Sequence, residues 1–404
     1  MLKRLISAVL CVMLALSATV VYYSETPGYS VEAAIDYETP YYYSQMTADA
    51  QKAYKELKKA ALECKKNIKL NVSIEQADFD MIAEMLMLHD PVTFNVKNIE
   101  ASNVSGKSAT FTIQYSYSKE TYDKMVASYN KKVDAILAKL TDDMSKYTKI
   151  RTIHDEIIKN TVYDLDSTNC GNIYGALVKK KGKCDGYAKT FSYICAKAGI
   201  RTVTVIGDTP QNNNGEMHMW NKVYYNKKWY NVDVTWDDPV NNLKKNQSYS
   251  YFMISDAAIK KSHTENNLSF AVPKAGDNSK NYFKVSKKYA EDLNGAKSII
   301  KSSLTTAAKN KTTYVEFKCA SKSVFDSTLK YIGDVEKVCS VLRSVKKNTG
   351  SKLVTDVYSY SYNDDTYTVR LLIFYENTSL DDYYSDTGSV SKNMIKALSG
   401  SGIK

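Results

Sequence analysis

Cys184, His218 and Asp233 are the residues of this 404-residue chain whose types and spacing suit nucleophilic acyl chemistry. Cys184 stands in Gly182-Lys183-Cys184-Asp185-Gly186, at the head of a segment where Phe191, Ile194, Cys195 and Ala198 recur at helical steps before Gly199. A cysteine in the first turn of a helix meets unpaired N–H groups and the positive end of the dipole, both of which favour a thiolate. Gly182 and Gly186 are expected to let the backbone turn tightly and a substrate approach. Cys195 lies about three turns further on, roughly 16 Å by helix rise, too far for a disulfide to Cys184. It reads as a core thiol.

A thiol needs a base and a group that orients the base. Met217–Tyr225 and Lys228–Val234 flank Asn226-Lys227 and read as a hairpin. With a two-residue turn, Tyr225 faces Lys228, Trp220 faces Asp233, and His218 faces Thr235. Positions 218, 220, 233 and 235 then share one sheet face, and His218 and Asp233 are diagonal neighbours. A three-residue turn would separate them, so the reading depends on register. Each residue also has a plainer role: His218 as a half-buried histidine, Asp233 as a cap, and Trp220, Trp229 and Trp236 as core aromatics. Zinc held by Cys184, His218 and Asp233 lacks the usual close-spaced ligand pairs. A serine triad lacks the G-x-S-x-G elbow. Taken jointly, the three residues favour a Cys-His-Asp triad, with neither metal nor cofactor expected.

The elements that must position this set occupy the middle of a longer chain. Its length favours two or three domains, and 44% hydrophobic with 25% charged residues is a globular composition. Met1–Arg4 is basic and Leu5–Val21 apolar, with a cleavage pattern at Val31-Glu32-Ala33 and a competing one at Leu16-Ser17-Ala18. Residues 1–33 therefore read as a secretory signal, and the mature protein is expected to be extracellular or cell-wall associated. The rival is an uncleaved anchor, the one arrangement that would involve a membrane. The net charge of +11 comes from scattered lysines, which suit solvated faces or an anionic wall polymer. No nucleic-acid motif accompanies them. Beyond the signal, Cys319 with Cys339 is the natural local bridge.

Residues 34–44 form a lead-in and 45–130 an α+β module. The middle region is 131–272, the Gly/Asp/Ser/Lys stretch 273–281 a linker, and 282–404 a second α+β module. In the first module a helical stretch runs from Thr47 to about Leu70, followed by a strand at Ile68–Val72, a helix at Gln76–Leu88, and strands near Thr93–Val96 and Thr110–Tyr117. The second has helices at Ala296–Ala308 and Val324–Ser344 and strands at Thr313–Cys319, Leu353–Tyr362 and Thr366–Tyr375. The shared order of helix, strand, helix, strand, strand suggests two copies of one module; two unrelated segments are the alternative.

The middle region resembles the transglutaminase-like superfamily, in its bacterial secreted type similar to the kyphoscoliosis peptidase and cytokinesis-protein branch. The resembling residues are Ile153-His154-Asp155, Tyr163-Asp164, Gly182–Ala188, Gly199-Ile200 with Gly207, His218–Asn221, Trp229–Trp236, and Tyr251–Asp256 leading to His263. They span about residues 145–264. The resemblance implies a papain-like α+β core with Cys184 as nucleophile, His218 as base and Asp233 as its orienter, acting on a protein, peptide or cell-wall peptide. Asn172 and Tyr174 are the upstream candidates for a second oxyanion donor, and Tyr187, Trp220 and Trp236 are expected to line the substrate path. Asp185 stands where the animal crosslinking enzymes carry tryptophan, which favours a peptidase or amidase over a transamidase.

Overall fold

A computed structural model describes residues 40–209, 217–238 and 247–378, with the side chains of 40 and 103–105 excepted. The expected signal and the first part of the lead-in lie outside the described residues. The chain divides into two compact units. One comprises residues 1–235 and 262–276, the other 236–261 and 277–404. The boundary between 276 and 277 falls inside the expected linker. No described helix is long and apolar enough to cross a membrane.

The first unit begins with α1 (Pro40–Tyr43) and α2 (Ala48–Leu62). Thr47 caps α2 by accepting from the Ala50 N–H, and Ala53, Leu57, Ala60 and Ala61 are buried at the expected spacing. The helix is shorter than its periodicity suggests, because Cys64 turns into the left-handed region with φ 54°. There follow β1 (Asn67–Leu70), α3 (Gln76–Glu84) with a π-helical turn at Met85–His89, β2 (Val96–Ser105) and β3 (Ser108–Tyr115). Thr93–Asn95 is thus loop, and the second strand lies later than its short apolar run suggested. The three strands form an antiparallel sheet in the order β1-β3-β2.

The helices α4 (Lys119–Leu137), α5 (Lys146–Asn160) and α6 (Cys184–Lys197) follow, with the two-residue parallel pair β4 (Val162–Tyr163) and β5 (Lys181–Gly182) just ahead of α6. Ile150, Ile153 and Ile157 of α5 are fully buried, as are Phe191, Ile194 and Cys195 of α6. The strands β6 (Thr202–Asp208), β7 (His218–Tyr225) and β8 (Lys228–Val232) are antiparallel neighbours, and β10 (Thr264–Glu265) closes the other edge on β6; the short β9 (Phe252–Ile254) belongs to the second unit. The turn between β7 and β8 is Asn226-Lys227, with φ values of 47° and 62°, the double left-handed conformation that matches strand twist. Tyr225 faces Lys228, and the ladder continues to Asn221 against Val232. This is the register on which the sequence argument depended.

In the second unit, α7 (Asp256–Ile259) and α8 (Tyr282–Val285) precede β11 (Tyr289–Ala290), α9 (Leu293–Asn310), β12 (Tyr314–Cys319), α10 (Lys322–Ile332), α11 (Val335–Thr349), β13 (Ser359–Asn363) and β14 (Thr368–Leu372). The single helix expected over 324–344 is two. Asp334 accepts from the Lys337 N–H and starts a new helix directly after Gly333 ends the first. Ile300, Leu304, Phe317, Phe325, Leu342 and Leu371 form the core. The antiparallel order β12-β14-β13 repeats the β1-β3-β2 pattern of the first module, with the parallel edge strand β11 and one helix added. The expected Cys319–Cys339 bridge is absent: all six described cysteines are free, and Cys319 Sγ instead donates to Thr328 Oγ1 at 3.7 Å.

Candidate active site

Cys184 is the first residue of α6 and is half-buried. It is held there by backbone contacts with the loop that precedes β5. The Lys183 N–H donates to the Cys170 carbonyl at 2.9 Å. A Cβ at position 186 would lie 2.1 Å from that same carbonyl oxygen, so only glycine fits two residues after the thiol. Gly186 therefore admits the chain's own loop, which corrects the expectation that it admits substrate. Gly182 is likewise closed over, by the Thr161 methyl and the Tyr187 ring. Cys184, with Met87 and Met217, packs against an apolar cluster of Leu88, Ala188, Ile206 and Met219, in which the methionines are the adaptable members.

The opposite partner is fixed by β7. Asn221, fully buried, donates from Nδ2 to the Ala188 carbonyl at 3.0 Å and to Ser192 Oγ at 2.9 Å. These two bonds tie the strand carrying His218 to the helix carrying Cys184. Gly207, opposite His218 on β6, leaves room for the Trp220 ring, which a Cβ there would meet at 2.7 Å. Trp220 lies nearly parallel to the His218 ring at 6.0 Å and donates from Nε1 to Asn231 Oδ1 at 3.1 Å. The imidazole thus rests on a braced aromatic.

His218 Nε2 lies 2.6 Å from Asp233 Oδ2. A carboxylate only accepts, so Nε2–H is the donor and Nδ1 remains for Cys184. The Cys184 side chain interacts with the same ring. Burial pulls the His218 ring down, but the charge and hydrogen bond of Asp233, with Cys184 on the other side, raise it to about 10. Burial likewise pushes the Asp233 carboxyl up, and the two histidines beside it outweigh that and hold it well below the usual carboxylate range. Its Oδ1 accepts from the Thr235 N–H at 3.0 Å.

The second histidine is His263, whose Nε2 lies 2.9 Å from the same Oδ2 while Ser262 Oγ lies 2.9 Å from its Nδ1. His263 was legible as part of a motif, but nothing in its spacing tied it to Asp233, thirty residues earlier. His218, Asp233 and His263 also form the one set among the described residues with the donor types and proximity a metal would need. Both ring nitrogens nonetheless sit at hydrogen-bond distance from a single oxygen, and these bonds account for the cluster without an ion.

Other expected site residues have different surroundings. Asn172 is buried and its amide is engaged locally, Oδ1 accepting from the Gly175 N–H at 2.9 Å and Nδ2 donating to Asn169 Oδ1 at 3.0 Å. It lies just ahead of the π-helical turn Tyr174–Lys179, whose first residue, Tyr174, lies under the Lys179 ammonium. Tyr187 and Trp220 are both fully buried, which corrects the expectation that they line a substrate path. Trp236 belongs to the second unit, where its ring packs edge-on against Tyr251 at 5.2 Å. Asp185 is a buried carboxylate that accepts from the Gly186 N–H at 3.1 Å and packs on Gly171. One turn along, the buried Lys189 donates to the Met87 carbonyl at 3.4 Å; burial lowers its ammonium to about 8 despite Asp185. Lys189 escaped the sequence reading because lysine looks like an ordinary surface residue type, and Asn221 was legible only as part of the His218–Asn221 stretch, without its tie to α6.

Residues 134–234 match the model of the transglutaminase-like superfamily. The kyphoscoliosis peptidase of Mus musculus is 43% identical over 65 residues, 14% of this chain and 10% of the relative. The chain thus spans about a tenth of the length of the curated relatives it matches. Among solved structures, a TGase is 15% identical with a TM-score of 0.25, covering 42% of this chain and 50% of that one. A candidate cysteine protease from Cytophaga hutchinsonii is 16% identical with a TM-score of 0.24, covering 34% and 61%. The mixed α/β core built around α6 and the β6–β8 sheet lies within residues 134–234 and is a transglutaminase-like core.

Proposed function

We propose that this protein is a cysteine enzyme that transfers the acyl group of an amide, with hydrolysis of a protein or cell-wall peptide as its reaction. The observation that carries the reading is the double engagement of His218. Its Nε2 is bound to Asp233 at 2.6 Å, which turns Nδ1 toward the thiol that heads α6. The Cys184 thiolate, paired with the His218 imidazolium, attacks the carbonyl carbon. The backbone N–H of Cys184, at the positive end of the helix, stabilises the oxyanion. His218 gives its Nδ1 proton to the departing amine as the C–N bond breaks, leaving a thioester on Cys184. Water then attacks the thioester and His218 takes its proton; release of the carboxylic acid restores the ion pair. Asp233 fixes the tautomer and steadies the cationic ring throughout.

The matched relative is a peptidase by name, which supports hydrolysis over transamidation. The basic and apolar N-terminus supports an exported protein acting at the cell surface. The test is mass spectrometry of the mature protein incubated with a peptide library and a primary amine. Cleaved or deamidated peptides, lost in Cys184→Ala and His218→Ala, are the expected result, and amine adducts would reassign the reaction to transamidation. Absence of any product, together with no labelling of Cys184 by an amide-directed thiol probe under reducing conditions, would make the domain a binding module. Mapping the N-terminus of protein recovered from the culture medium tests export.

A further inference from the structure

Asp233 Oδ2 is an acceptor shared by two imidazoles. His218 approaches it at 2.6 Å and His263 at 2.9 Å, both through Nε2, and all three residues are buried. The His263 ring is fixed on its other sides: it meets the face of Trp220 edge-on at 5.1 Å, and its Nδ1 lies 2.9 Å from Ser262 Oγ. Because the carboxylate only accepts, Nε2 of His263 carries a proton. Its Nδ1 is then free to accept from the Ser262 hydroxyl, which locks that tautomer. Trp220 therefore supports both imidazoles, and Ser262 sets the donor that reaches Asp233.

We infer that His263 is a positioning residue of the catalytic set. As a neutral donor locked by Ser262, it holds Asp233 Oδ2 in line with His218 and shares the carboxylate's charge. This rests on the triad reading above. Two consequences follow. Without His263, Oδ2 is free to rotate out of line, and small displacements of a catalytic group cost rate steeply. Out of line, the carboxylate also steadies the imidazolium less, so the ring gives its proton up more readily and pairs less well with the thiolate. Among the described residues, Asp233 and His218 are titratable groups that face His263, with Cys184 beyond the latter.

The experiment compares the whole protein with His263→Phe, His263→Gln and Ser262→Ala. Phenylalanine keeps a ring against Trp220 and removes the donor, whereas glutamine keeps an N–H at similar reach. Two quantities are read: the rate at which iodoacetamide alkylates Cys184, mapped by peptide mass spectrometry, and the titration of His218 followed by NMR of labelled histidine. His263→Phe is expected to slow alkylation at neutral pH on the order of tenfold to a hundredfold and to move the His218 titration downward by about half a unit or more. His263→Gln should restore most of both, and Ser262→Ala should change both in the same direction by less. Should His263→Phe fail to fold, Ser262→Ala decides the matter. Wild-type rate and titration in His263→Phe, or a glutamine variant no better than phenylalanine, overturns the inference while the triad stands. A wild-type Cys184 that resists iodoacetamide brings both down.

Discussion

Replacing Asp233 with asparagine tests the electrostatic argument most directly. Asp233→Asn keeps the shape and can still accept from the Thr235 N–H. It presents an amide where two imidazole Nε2–H groups now find a carboxylate oxygen. The ordinary value for histidine is 6.5, and in this site the ring stands at about 10. That difference corresponds to roughly 5 kcal/mol in favour of the imidazolium. Burial is the largest single influence on the ring and acts against the charge; Asp233 supplies the next two, both favouring it. With the carboxylate gone, only the contact with Cys184 opposes burial, so His218 should titrate at or below 6.5, a fall of at least about three units. The chain has four histidines, so labelled-histidine NMR resolves the titration. Alkylation of Cys184 at pH 7.5 should fall in parallel, by about a hundredfold or more, because the thiol loses its cationic partner. A His218 that still titrates above about 9 in Asp233→Asn would refute the reasoning.

Three further outcomes follow from the geometry. Thermal unfolding of wild type against Asp233→Asn should depend on pH. The contribution of His218, whose value is raised on folding, is complete below 6.5 and is lost as pH rises through about 10. That of Asp233, whose value is depressed, is complete above 3.8 and is lost on acidification, so the difference between the proteins should be greatest between about pH 4 and 6.5; a flat difference would contradict it. Gly186→Ala should lower stability by about 2 kcal/mol or more, since its Cβ would meet a backbone carbonyl at 2.1 Å, and denaturant unfolding measures this. Insertion of one glycine between Asn226 and Lys227 should abolish Cys184 alkylation without unfolding the protein, because shifting β8 by one position turns Asp233 away from His218; retained alkylation with native circular dichroism would contradict the register argument.

The local rules carried a good part of this protein. Helical spacing placed Cys184 at the head of α6, and an Asn-Lys turn between two alternating runs specified the β7–β8 register. That register brings His218 and Asp233 together, because both depend on neighbours close in sequence. The split of the long C-terminal helix was also written locally, in Gly333-Asp334, beneath a periodicity that ran across it. What only the tertiary structure decided is everything that depends on chain segments far apart. The glycines around Cys184 look from sequence like an opening for substrate, yet the Cys170 carbonyl fills that space. Trp220 and Tyr187 have side chains suited to a binding wall, and packing buries them. Asn221 ties α6 to β7, and His263 returns to Asp233 after the excursion of residues 236–261 into the second unit. Periodicity reports which face of an element is apolar, but it carries no record of which distant polar group that face will meet. The partners of Asp233 beyond its own hairpin are set by that meeting alone.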